Sequence, residues 1–126
     1  MFEQDYIMRL VHEIARVLAK LLFNIDTETV TEELKSRVEE TNLLEMLLDM
    51  IDNGQINEAE NKLYDLMNDG APNCMEMAIL FYLHLNEKSD DFLEENAYSR
   101  EEVKGGLEAV AARAGQREIV STLFME

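Results

Sequence analysis

Cysteine occurs once in this chain, at Cys74, proline once, at Pro72, and tryptophan not at all. A lone cysteine excludes an internal disulfide framework and fits a reducing cytoplasm. A single proline, with almost no β-branched alternation, leaves helical periodicity as the dominant signal. No stretch approaches the roughly 20 uninterrupted apolar residues that a membrane-spanning helix needs. Nor does the start read as a secretory leader: Glu3 and Asp5 open it, and basic residues interrupt its apolar positions. Basic side chains are also scarce, 11 Lys and Arg against 27 Asp and Glu, for a net charge of −16. Such a chain repels the phosphate backbone, so no binding of nucleic acid is expected. The acidity reads as solubility or, more sharply, as mimicry of nucleic acid, a decoy for a basic protein.

What is present is apolar content at helical spacing. The 126 residues are 47% apolar, enough for one domain with a real core. The reading is all-α: five or six helices stacked as antiparallel αα-hairpins, tetratricopeptide-like in the middle, in a single domain over 1–126. It comprises a long amphipathic helix at 3–24, a hairpin core at 43–114 and a tail at 115–126. In the first helix Tyr6, Ile7, Leu10, Val11, Ile14, Val17, Leu18, Leu21 and Leu22 cover an arc of roughly 160°. Arg9, Glu13, Arg16 and Lys20 fall opposite. Charge divides the chain at the same place. Through Ile25, Arg9, Arg16 and Lys20 balance Glu3, Asp5 and Glu13, and everything beyond is strongly acidic.

Further along, Thr29 with Glu32 has capping-box spacing. The helix after it is poor at first, with only Leu34 and Val38 large and apolar, and reads as an exposed helix or a link. Apolar residues return at Leu43, Leu44, Met46, Leu47, Leu48, Met50 and Ile51, and Gly54 is a natural stop. Asn57 with Glu60 opens the next helix, which Gly70 and Pro72 end. Asn73 with Glu76 repeats the pattern before the most apolar segment, Cys74 to Asn86, which belongs at the centre of the core. Glu87 to Ser99 reads as an acidic connector with about one helical turn. Ser99 with Glu102 caps a final helix, stopped by Gly115, in which Gly105 and Gly106 imply a close crossing or a kink. In the tail, Ile119, Val120, Leu123 and Phe124 favour docking of a short helix.

The segment LLDMIDNGQINEAENKLYDLMNDG is a helical hairpin. Gly54, Ala59, Leu63 and Leu66 stand as in the turn and second helix of a tetratricopeptide unit. The tryptophan of that motif is unmatched and no second copy follows at ~34 residues, so a generic αα-hairpin is the plainer reading. Neither His12 nor His84 has a cysteine or histidine at metal-ligand spacing, and no metal or cofactor is expected. Cys74 opens a helix, a position that favours reactive thiols, and pairing with either histidine would make a small hydrolase or redox enzyme. A partly buried, inert cysteine is the simpler reading. The acidic pairs Glu39–Glu40, Asp90–Asp91, Glu94–Glu95 and Glu101–Glu102 read as solvated helix faces.

The opening FEQDYIMRLV, the LLFNID segment, the hairpin DNGQINEAEN and the run FLEENAYSREEV together resemble a family of short acidic proteins of Gram-positive bacteria, classed as a domain of unknown function. The resemblance spans the chain to about Ala114. It implies one helical cytoplasmic domain and brings no activity, cofactor, substrate or site residue.

The function expected is therefore a non-enzymatic protein-interaction module, self-associating through the first helix. A heptad-like stripe of Ile7, Leu10, Ile14, Val17 and Leu21, flanked by Arg9, Arg16 and Lys20, suits a helical dimer seam. The alternative is a peripheral membrane or regulatory protein docking by the same basic amphipathic helix, against which its anionic body argues.

Overall fold

In a computed structural model, which describes residues 2–124, the chain forms eight helices and no strand among those residues. They are α1 (Phe2–Phe23), α2 (Val30–Arg37), α3 (Thr41–Asp52), α4 (Ile56–Asn68), α5 (Cys74–Asn86), α6 (Asp90–Glu95), α7 (Arg100–Arg113) and α8 (Arg117–Phe124). The five or six expected become eight for local reasons. The weak stretch after Thr29 divides at Val38, whose extended backbone ends α2 while its side chain stays buried. Ser89 accepts from the Phe92 amide at 3.1 Å, which organises the acidic connector into the short α6. The tail adds α8, of which Val120 is buried and Ile119 is not. The side chains of Leu123 and Phe124, expected to help dock it, lie outside the described residues.

The core is built around α5. Its residues from Met77 to Leu83 are all buried, as a helix apolar on every side must be. It is touched by α1, α2, α3, α4 and α7, while α1 packs extensively along α7. The first helix thus lies on one continuous core that runs from Ile7 to Val120. That closure separates the fold from an open solenoid, in which each unit touches only its neighbours. Within it, α3 and α4 do form the expected hairpin. Gly54 turns it with φ +82°, a conformation that costs other residues strain, and the Gln55 amide returns to the Met50 carbonyl at 2.8 Å.

Of the four capping pairs read from spacing, only Ser99 caps its helix, accepting from the Glu102 amide at 3.1 Å. Thr29 makes no side-chain cap and instead bonds with Thr27. Asn57 lies one residue inside α4, which frees Glu60 for another partner. Asn73 starts α5 in the left-handed region, and its amide group donates to the buried Glu76 while accepting from the Glu39 backbone.

The glycine pair divides its labour. A Cβ at Gly106 would overlap the Tyr82 ring, so this residue is what lets α7 press against α5. At Gly105 a Cβ would meet nothing within 4 Å. Two single substitutions therefore act in opposite directions. Gly105→Ala should stabilise the fold by up to ~1 kcal/mol through helix propensity. Gly106→Ala should cost ~1–3 kcal/mol through overpacking. Urea-unfolding midpoints of the two variants check both signs.

Candidate functional site

The stripe expected on α1 is divided by the fold. Ile14 is fully buried and Ile7 nearly so, both spent on the internal core, so neither is available as a seam residue. Leu10 and Val17 are half-buried, whereas Leu21 is 42% exposed. Arg9, Arg16 and Lys20 all reach solvent. A groove of about 270 Å³ runs beside this outer strip. Its apolar lining is Val17, Leu21, Ile25 and Val30, with Ile119 arriving from α8 and itself 43% exposed. Its charged rim has both signs, Glu13 and Asp26 beside Arg16 and Lys20. Arg16 pairs with Glu13 at 3.4 Å and Lys20 with Asp26 at 3.4 Å. Exposed pairs of this kind are worth ~0–1 kcal/mol, so they exchange partners readily. The sequence marked Ile119 as a docking residue of the tail but not where it docks, because α8 reaches α1 only through the fold.

Polar clusters lie elsewhere, three of them on α3 to α7. Glu60 on α4 accepts from the Tyr82 hydroxyl at 2.5 Å and from the Tyr98 hydroxyl at 3.1 Å. Both phenols are held far above the usual tyrosine range, first by burial and then by the Glu60 carboxylate. Asp52 ends α3 and accepts from Lys88 at 2.5 Å and pairs with His84 Nε2 at 2.8 Å. The Lys88 bond holds its carboxyl below the ordinary range, with His84 adding to that and partial burial opposing it. Arg100 is buried and donates to the Asn86 and Lys88 carbonyls at 2.7 and 2.9 Å and to Asp90 at 2.5 Å. It thereby closes the end of α5 and fixes the entry to α6.

These clusters join elements; none gathers a nucleophile, a base and a cleft. Cys74 is half-buried and forms no hydrogen bond or ion pair with His12 or His84 among the described residues. No group of three or more His, Cys, Asp or Glu side chains is placed to hold a metal among the same residues. The acidic pairs read as solvated faces are all exposed. Sequence reading missed Glu60, Glu76, Asn86 and Arg100 as buried or bridging polar groups. Glu60 and Glu76 had been assigned to capping boxes by spacing alone.

No helix among the described residues is long and apolar enough to cross a membrane. The molecule is thus an α-helical domain, and the candidate site on it is the surface strip along α1. The family model of DUF6483, a family of unknown function, matches residues 1–115, and the chain belongs to that family. No curated protein matches the chain. No solved structure does either.

Two pH dependences follow. The tyrosine pair needs neutral phenols in the fold, so its contribution is complete below the ordinary tyrosine value of 10.0 and is lost as pH rises beyond it. Tyr82→Phe should lower stability at neutral pH by ~1–3 kcal/mol, a lost bond to a charged group, while flattening the alkaline limb. Asp52 works in the other direction. Its contribution is present above 3.8 and disappears as pH falls through its depressed folded value. Asp52→Asn should remove that part of the acid limb only. Urea midpoints measured across both limbs check the pair.

Proposed function

We propose that this chain is a non-enzymatic protein-interaction module that pairs with a second copy of itself through the outer strip of α1. The observation that carries the reading is the groove shared by Leu21 and Ile119, two large apolar side chains more than two-fifths exposed. Charge selects the occupant. With a net −16, two copies repel one another over most of their surface. The segment through Ile25 has no net charge and is where a second copy approaches at least cost. A two-fold axis brings Arg16 and Lys20 of one copy to Glu13 and Asp26 of the other, the self-complementarity that an isologous contact needs. The contact set is then Leu10, Arg16, Val17, Lys20 and Leu21 with Ile119, and Arg9 at its edge. We read the α3–α4 hairpin as tetratricopeptide-like in its packing, with Ala59 and Leu63 buried beyond the Gly54 turn. The acidic surface and lone cysteine fit a bacterial cytoplasm.

The groove is small beside the ~800 Å² that each partner buries in a standard interface, so the dimer is weak and concentration-dependent. Long-range repulsion is screened by salt, with a Debye length near 30 Å at 0.01 M and ~10 Å at 0.1 M. Association should therefore strengthen between those salt concentrations. Leu21→Glu and Ile119→Glu should each abolish it without loss of helicity, since both positions are exposed. Sedimentation equilibrium of the three proteins at both salts measures this, and a monomer under every condition defeats the reading. Anionic vesicles in a flotation assay address the membrane alternative, for which binding by α1 at low salt would be required.

A further inference from the structure

Three large apolar side chains are exposed among the described residues. Leu21 and Ile119 line the α1 groove, and Tyr6, at 55%, is the most open of the three. Tyr6 makes no hydrogen bond or ring contact among those residues. It stands on the same flank of α1 as the groove. At 3.6 residues per turn, Tyr6, Leu10, Val17 and Leu21 fall within an arc of about 60°. Their intervals are four, seven and four residues, so the row reads the same from either end. The charges beside it do not. Asp5 lies at its start and Lys20 at its end, and both are exposed. A row that is symmetric in its apolar groups and opposite in charge at its two ends matches its own reverse.

Resting on the reading that the chain pairs with itself, we infer that the second copy lies antiparallel along α1 and seats its Tyr6 ring in the groove beside Leu21 and Ile119. The two-fold axis passes between Glu13 and Ile14, the midpoint of the row. Tyr6 of each copy then stands level with Leu21 of the other, and Leu10 with Val17. Glu13 lies beside the axis, within a turn of the other copy's Arg16. A parallel pair sets Asp5 against Asp5 and Lys20 against Lys20, like charges that repel. The antiparallel pair sets each acidic end against a basic one. Tyr6 does not reach the groove of its own chain, because fifteen residues of straight helix, about 22 Å, separate it from Leu21. The lining also suits a tyrosine. Arg16 and Lys20 are cations that pack over an aromatic face, and the Asp26 carboxylate is an acceptor for the phenol.

Two measurements on the whole chain test the seating. Sedimentation equilibrium at 0.1 M salt compares Tyr6→Ser with the unaltered protein. The variant should dimerise at least about tenfold more weakly, the scale of leaving one aromatic side chain uncovered. Its helicity should be unchanged, since Tyr6 is exposed. Disulfide mapping then reads the direction. In a Cys74→Ser background, one chain carries Leu10→Cys and a second, tagged to differ in mass, carries Val17→Cys. Each is oxidised alone and in mixture. Only the mixture should give a covalent dimer, because each position faces the other and lies about 10 Å along the axis from its own twin, beyond the reach of a disulfide. A covalent dimer from either variant alone, or none from the mixture, overturns the antiparallel register. Dimerisation undisturbed in Tyr6→Ser overturns the anchor. Both results leave self-association standing, whereas an unaltered chain that stays monomeric removes that reading and the seating with it.

Discussion

The close contact between Tyr82 and Gly106 is the constraint on which the rest of the structure depends. Tyr82 stands on α5, the helix that five others cover, and its ring occupies the space where any side chain at Gly106 would be. Its hydroxyl donates to Glu60 and its ring meets Phe81 edge-on at 5.0 Å between centroids. One residue thus sets how far α7 sits from α5 and how α4 is tied to both. Because α1 lies along α7, the position of the first helix follows from the same contact.

The packing of α1 explains why its apolar arc is wider than its buried face. The core takes Val11, Ile14, Ala15, Leu18 and Ala19, which centre on one side of the helix. Leu10, Val17 and Leu21 remain partly uncovered, and beside the last two the groove is lined by Ile25, Val30 and, from the tail helix, Ile119. An unfilled strip beside a charge-balanced helix is an unusual thing to leave on a molecule of net −16. It is the physical basis of the proposal that the chain pairs with a second copy.

The buried polar groups serve a different end. Arg100 spans the carbonyls at the end of α5 and the first turn of α6. Glu76 receives Arg37 at 3.2 Å and Asn73 at 3.3 Å, which ties α2 to the start of α5. Asn86 donates to the Met8 carbonyl at 3.0 Å and joins α5 to α1. Each of these bonds links elements that the hydrophobic contacts alone would leave free to slide. Leaving one partner unpaired in such a site costs more than an exposed pair is worth.

How much of this was legible depends on the range of the interaction. Local and periodic features were plain in the sequence. The all-helical class, the central place of the Cys74–Asn86 helix, the stops at Gly54, Gly70 and Gly115 and a close crossing at the glycine pair all follow from spacing and backbone preference. Capping was less legible, because a carboxylate three residues after Asn57 or Asn73 satisfies the local pattern whether or not a distant hydroxyl or guanidinium claims it. Contacts across the chain had no local signature at all. That Glu60 serves Tyr82 and Tyr98, that Ile7 and Ile14 turn inward while Leu21 does not, and that Ile119 completes the groove depend on which helices meet. A periodic pattern specifies that a face will be buried, since apolar surface must leave water. Which neighbour buries it, and how much is left uncovered, is settled only when the helices close on α5.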